Sequence, residues 1–140
     1  MFCAYSVLGF AALYAALVVL NRSRIRRIAA ARAGENFDTF CASFGEDEVP
    51  PDVLRAVYTW FQDWHAGTVA TFPVRAADDI ADVYRMVDED LEDTFLAVVA
   101  SCGRRLPPAG QAPRIGPVVT VGDFVRGVAT CPPATDRPQS

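Results

Sequence analysis

Among the side chains that could do acid–base chemistry, the only histidine, His65, has no partner in a suitable position. Its nearest acid is Asp63, and neighbouring positions of a helix point their side chains in different directions. Acid–base catalysis needs a second group within reach of the first. We therefore interpret His65 as a packed or capping side chain and predict no catalytic residue.

Four cysteines, Cys3, Cys41, Cys102 and Cys131, are scattered along the chain. They form no Cys-x-x-Cys pair, and no histidine lies at a metal-ligand spacing from them, so a zinc site is not expected. The sequence also contains no phosphate-binding glycine loop, no Gly-x-Ser-x-Gly and no His-Glu-x-x-His. We predict no metal, no cofactor and no enzymatic activity.

One acidic segment, residues 88–93, stands out from the rest of the chain. Its carboxylates are Asp88, Glu89, Asp90, Glu92 and Asp93. At the amino end of a helix, such groups interact favourably with unpaired backbone N–H groups, by about 0.3–1 kcal/mol each. Clustered charge also speeds the encounter with a basic surface. The segment is therefore either a solvated helix start or a binding site for a basic protein partner.

The overall charge argues against nucleic-acid binding. The chain carries 13 basic and 17 acidic side chains, for a net charge of −4, and it is clearly acidic from Glu35 onward. A nucleic-acid surface needs a basic stripe. The only basic cluster follows an apolar run directly, and its members are Arg22, Arg24, Arg26 and Arg27. Anionic lipid head groups explain that position more simply, so these arginines are predicted to lie at a membrane surface.

The apolar run itself predicts a membrane anchor. Residues Phe2 to Leu20 include no charged side chain. As a helix they would span about 28 Å, close to the thickness of the bilayer hydrocarbon. Basic residues stay on the cytoplasmic side. We therefore expect a single-pass protein of the bacterial inner membrane, with the amino terminus outside and the carboxyl-terminal domain in the cytoplasm.

A cleaved signal peptide is the alternative interpretation of the same run. A secretory signal carries its positive charge before the apolar stretch and a small-residue cleavage site after it. Here arginines close the run instead, beginning at Arg22. This order of charge favours an anchor that is retained.

The elements that must position the acidic segment are all predicted to be helices. The first continues to Gly34, which supplies a stop. Asn36 is predicted to cap a short helix, and a strong helix is predicted over residues 51–66, with Trp64 on its apolar stripe. Phe37, Phe40 and Phe44 form a stripe that indicates core packing. The alternative is that this stripe is a contact of a structural subunit in a membrane complex.

Three further helices complete the prediction of an all-α fold. Asp78 and Asp79 open a short helix, whose predicted inward residues are Ile80, Val83, Tyr84 and Val87. A second begins at residues 88–90 and ends at Gly103. Thr120 and Asp123 have the spacing of a capping box before the last helix. The predicted organisation is an anchor with a basic helix at residues 1–34, an antiparallel helical bundle at 35–130, and a disordered tail at 131–140.

From about Pro51 to Val128, the order of elements resembles acyl carrier proteins and an acyl-carrier-like bacterial family of unknown function. The matching segments are Leu54–Trp64, Asp88–Asp93 with Phe95 and Val98, Arg105–Pro107, and Thr120–Phe124 with the sequence Thr-Val-Gly-Asp-Phe. The resemblance implies a helical bundle and a docking surface on the acidic helix. The serine that carries the family's phosphopantetheine arm is absent, because Asp88 or Asp90 aligns with it. The nearest hydroxyls are those of Thr94 and Ser101.

Together these features predict a membrane-anchored, non-catalytic, acyl-carrier-like adaptor or docking module. Its partners would be membrane lipid and a basic protein. Two alternatives stay open: a genuine acyl or peptidyl carrier that is modified at a non-standard hydroxyl, and a structural subunit of a membrane complex.

Overall fold

The computed structural model describes residues 2–108 and 117–134, with side chains from Val7 onward. The α-helices are α1 (Phe2–Ala31), α2 (Phe37–Cys41), α3 (Pro51–Asp63), α4 (Asp88–Ser101) and α5 (Val121–Thr130). A π-helical turn covers Ile80–Tyr84. Extended pairing in the described residues is limited to two isolated bridges, Asp79 with Thr120 and Arg104 with Pro133. The predicted all-α fold is confirmed.

Helix α1 is long and apolar enough to cross a membrane over Val7–Ala31. Its apolar side chains up to Leu20 are largely uncovered by protein; Phe10, for example, is 78% exposed. The carboxyl-terminal turns of α1 differ, because Ile25 is buried in the core and Ile28 and Ala29 pack against it. The end of the helix assigned to the anchor therefore also belongs to the core of the domain.

Helix α2 begins as predicted, since the Asn36 side chain accepts the N–H groups of Asp38 and Thr39. Phe40 and Phe44 are buried, and Phe40 packs against Tyr58 of α3 at a ring distance of 5.2 Å. The core-packing interpretation of the phenylalanine stripe is confirmed. Phe40 and Phe44 are therefore not available to another subunit, whereas Phe37 is half-buried, and the structural-subunit alternative stays a prediction.

Helix α3 ends at Asp63 rather than at residue 66, because the chain enters turns at residues 64–68. Trp64 keeps helical backbone angles at the end of α3, so it lies on the same face as the exposed Trp60, one turn earlier. Trp64, predicted on the apolar stripe, is 41% exposed, whereas His65 is buried. The prediction for Trp64 is therefore wrong, although the buried residues within α3 include Leu54, Val57 and Phe61 as expected.

The short helix predicted after Asp79 is a π-helical turn, in which the Asp79 carboxylate accepts the N–H of Asp82 at 2.8 Å. Its inward residues Ile80, Val83 and Tyr84 are buried as predicted. Val87 was predicted to face inward and is instead 61% exposed, while Met86 is buried. The reason is the left-handed backbone of Arg85, with φ 57° and ψ 30°, which ends the turn and changes the phase of the chain.

Helices α4 and α5 complete the core with α3. Val98 and Val99 of α4 are buried, and the four predicted core residues of α5 are fully covered: Val121, Phe124, Val125 and Val128. The Thr120–Asp123 capping box is confirmed. Two further N–H groups at the start of α5 bond to a loop, from Val121 to the Asp78 carbonyl at 3.0 Å and from Gly122 to the Ala76 carbonyl at 2.8 Å.

The disordered tail was predicted to begin at residue 131, but residues 131–134 are packed against the domain. Cys131 is buried, and the N–H of Ala134 donates to the Gly103 carbonyl at 2.8 Å. The N–H of Arg105 also donates to the Pro132 carbonyl at 3.0 Å. Residues 131–134 thus pair with the segment that follows α4. Residues 135–140 of the predicted tail lie outside the described residues.

Candidate functional site

The predicted acidic segment forms the first two turns of α4, and all five of its carboxylate side chains are exposed. Asp90 accepts the N–H of Val87 through a long contact of 3.4 Å, as the helix-start interpretation predicts. Within the part of the chain that the structure describes, none of the five pairs with an arginine. Their negative charge is therefore available to a partner.

An open apolar groove of about 350 Å³ runs beside these carboxylates. Its lining residues are Asp88, Leu91, Glu92, Phe95, Leu96, Leu106, Val118 and Phe124. Phe95 packs edge-on against Phe124, with their ring centroids 5.3 Å apart, and the two rings form one side of the groove. Leu96 and Leu106 are 43% and 48% exposed, so apolar surface is left for a ligand to cover. The periodicity of α4 did not reveal the groove, because α5 and the loop after α4 build its other side.

The four predicted membrane-surface arginines separate into two groups. Arg22, Arg26 and Arg27 are exposed, and their position at a membrane surface stays a prediction. Arg24 turns onto the domain instead, where its Nη2 donates to the Asp82 carbonyl at 2.6 Å. Arg24 thus binds the domain, unlike the other three, and its position at a membrane surface stays a prediction. It lies next to the buried Ile25, on the side of α1 that packs against the domain.

A buried ion pair fastens the end of α1 to the loop before the π-helical turn. The Arg32 guanidinium donates to both carboxylate oxygens of Asp78, at 2.9 and 2.5 Å, and to the Pro73 carbonyl at 2.9 Å. Asp78 also accepts the N–H of Arg75 at 3.0 Å and the hydroxyl of Tyr84 at 3.1 Å. Sequence reasoning missed this pair, because 46 positions separate the two residues and no local pattern joins them.

His65 lies inside an aromatic cluster, with its ring 4.5 Å from that of Phe72 and stacked on Tyr84 at 5.2 Å. Burial, and then the positive charge of Arg24, lower the pKa of His65 to about 4, against the opposing effects of Asp78 and the Val83 carbonyl. The imidazole is therefore neutral at pH 7. Burial also raises the pKa of Tyr84, and the Asp78 charge adds to that effect. His65 is packed, as predicted.

No protein-family model, curated protein or solved structure matches the chain. The resemblance to acyl carrier proteins therefore stays a prediction. Of the two hydroxyls nearest to the missing serine, that of Thr94 is buried inside α4. That of Ser101 donates to the Val98 carbonyl at 2.8 Å, at the far end of the helix from the carboxylates.

The described cysteines are not placed for chemistry. Burial raises the pKa values of the Cys41, Cys102 and Cys131 thiols, which favours the unreactive protonated form. Among the side chains that the structure describes, no cluster of three histidine, cysteine or acidic residues could hold a metal ion. The apolar groove beside α4, with the carboxylates on its rim, is thus the best candidate for a functional site.

Proposed function

We propose that this chain is a membrane-anchored, non-catalytic docking module, whose acidic helix α4 and adjoining groove bind a basic and partly apolar segment of another protein. The single observation that carries this proposal is the position of two unpaired carboxylates, those of Asp88 and Glu92, on the rim of an open apolar groove. A carboxylate rim without apolar surface would offer little beyond long-range attraction.

The carboxylates and the apolar groove contribute to binding in different ways. Exposed carboxylates speed the encounter with a basic segment and fix its orientation, but contribute little affinity by themselves. Covering the half-exposed side chains of Leu96 and Leu106 supplies a favourable term of about 1 kcal/mol each, since complete burial of a leucine contributes about 1.5–3 kcal/mol. The expected partner segment therefore carries arginine or lysine beside leucine, phenylalanine or similar residues.

The anchor would set where the docking takes place. The long apolar helix supports attachment to the membrane. The arginines that follow its apolar run favour a cytoplasmic position for the domain, because basic residues stay on that side. The partner would then be a cytoplasmic protein or the cytoplasmic part of another membrane protein.

A photo-crosslinking amino acid in place of Leu96 tests the proposal in the full chain within its native membranes. We expect a discrete adduct whose crosslinked partner peptide, sequenced by mass spectrometry, contains basic and apolar residues. Replacing Asp88, Glu92 and Asp93 together with arginine should abolish the adduct. Asp90 is left in place because it accepts the N–H of Val87 at the start of α4.

The matched control reverses three exposed carboxylates elsewhere, Glu46, Asp52 and Asp63, and therefore changes the net charge equally. This control should retain the adduct. The proposal fails if both triple variants lose the adduct to the same degree, or if the crosslinked peptide is acidic or purely polar. Circular dichroism of each variant confirms that the helices persist.

A further inference from the structure

A second concave surface lies where the apolar run of α1 gives way to arginines. Leu17, Leu20 and Asn21 of α1 form one side of a concavity of about 450 Å³. Arg24, Arg27 and Arg85 line the rest. Arg85 comes from the distant segment between the π-helical turn and α4, so the fold brings a third guanidinium to the end of the apolar run.

The charge of this concavity is incompletely balanced within the described residues. Arg24 pairs with Asp82, at 3.4 Å from its Oδ1, while the Nη1 of Arg24 is buried without a hydrogen-bond partner. Arg27 and Arg85 are exposed and make no ion pair with a described carboxylate. Three guanidinium groups thus face a single carboxylate, which leaves the site positively charged.

The backbone holds Arg85 at this place at some cost. A left-handed conformation is unfavourable for a residue with a Cβ by roughly 1–2 kcal/mol, and glycine would adopt it freely. The indole N–H of Trp64 donates to the carbonyl of Tyr84, the preceding residue, at 2.9 Å and thereby fixes the chain entering Arg85. An arginine in a position that suits glycine points to a use for its side chain.

We propose that this concavity binds the phosphate head group of an anionic phospholipid, with an acyl chain lying along Leu17 and Leu20. Guanidinium groups bind phosphate through paired N–H donors. The leucines are continuous with the apolar run that would lie in the bilayer, so the occupant is a lipid and not free phosphate. This inference rests on the membrane anchoring in the proposed function, and it adds Arg85 to the lipid-contacting residues.

The test uses the full chain in mild detergent, titrated with short-chain phosphatidylglycerol or phosphatidylcholine and observed by native mass spectrometry. We expect one phosphatidylglycerol to bind at least about 5-fold more tightly than phosphatidylcholine. Arg27→Ala and Arg85→Gly should each weaken phosphatidylglycerol binding by about 5-fold, the effect of one basic residue near an anionic lipid surface. Arg85→Gly also relieves the left-handed backbone, so unfolding would not explain its loss of binding.

Arg26→Ala is the matched control, since it removes the same charge from the same region of α1 outside the concavity. It should change phosphatidylglycerol binding by less than about 2-fold, because Arg26 does not line the concavity and so makes no paired N–H contact with a head group bound there. The inference is overturned by equal losses for Arg26→Ala and Arg85→Gly, by equal binding of the two lipids, or by complete displacement of phosphatidylglycerol with millimolar inorganic phosphate.

Flotation with liposomes separates this inference from the anchor on which it rests. If the full chain floats but shows no preference for phosphatidylglycerol, only the head-group site is wrong. If the full chain does not float, the membrane anchor itself is wrong, and the head-group site falls with it.

Discussion

At the scale of single residues, hydrogen-bond partners decide the role of a buried polar side chain. Asp78 is 4% exposed, and its carboxylate is surrounded by the donors of Arg32, Arg75 and Tyr84. His65 is also buried, but its Nε2 has no hydrogen-bond partner among the described residues. A buried ionised group needs partners that satisfy it. Asp78 therefore belongs to an ion pair with Arg32, whereas His65 is a neutral ring that packs like an aromatic residue.

The pH dependence of stability tests the state of His65. Its pKa is about 4 in the folded chain, against 6.5 for an ordinary histidine. Between these values the unfolded chain binds more protons, so stability is complete above pH 6.5 and falls as the pH approaches 4. We expect wild type to lose on the order of 2 kcal/mol more than His65→Phe over this range, when both are unfolded chemically in detergent.

Comparing wild type with His65→Phe cancels the contribution that carboxylates make to the pH dependence of stability, because they titrate in both proteins. Parallel curves of unfolding free energy against pH for the two proteins would show that the buried imidazole does not titrate as we infer.

At the scale of elements, the shortest helices of the domain depend on their neighbours for stability. Helix α2 has 5 residues and α5 has 10, whereas isolated helices shorter than about 12–15 residues are marginal in water. Capping residues start these helices, and contacts with other segments hold them. The loop before the π-helical turn has a central role, because it is bound to α5 through Ala76 and Asp78 and to the end of α1 through Arg32.

Asp78→Asn tests this connection between elements. The variant leaves Arg32 buried without a counter-charge, and breaking a buried pair in this way costs about 3–5 kcal/mol. The measurement is the free energy of chemical unfolding of the full chain in detergent. Glu48→Gln is the control, since Glu48 pairs with Arg126 at the surface and such pairs contribute about 0–1 kcal/mol. Similar costs for the two variants would contradict the structural role of the buried pair.

At the scale of the whole molecule, the domain packs directly on the helix that would anchor it. Ile25 lies in the core, while Arg24 and Arg32 bind Asp82 and Asp78 of the domain. A flexible linker therefore does not separate the exposed apolar part of α1 from the domain. We infer that the domain is held against the membrane surface, with the groove beside α4 presented from a fixed position.

Reporter fusions at the carboxyl terminus test the predicted orientation. We expect a fluorescent-protein fusion to be fluorescent and an alkaline-phosphatase fusion to be inactive, because the domain would lie in the cytoplasm. Replacing Arg22, Arg26 and Arg27 with glutamine should increase phosphatase activity, and Arg24 is kept because it binds Asp82. An active phosphatase on the unaltered chain, or a mature amino terminus beyond residue 20, would contradict this topology.

The sequence by itself determined the features that depend on near neighbours. The long helix follows from the uncharged run up to Leu20, and the starts of α2 and α5 follow from Asn36 and from Thr120 with Asp123. Each signal acts within a few positions, because a cap bonds to N–H groups of the next turn and apolar periodicity repeats along one helix.

Only the tertiary structure decided which distant residues meet. It paired Arg32 with Asp78 and brought Arg85 beside Leu20. It also buried His65, left Trp64 exposed, and formed the groove at α4 from three separate segments. These outcomes depend on how short helices pack and on where turns change the phase of the chain, as at Arg85. Such contacts join residues that are far apart in the chain, so no local pattern of residue types determines them.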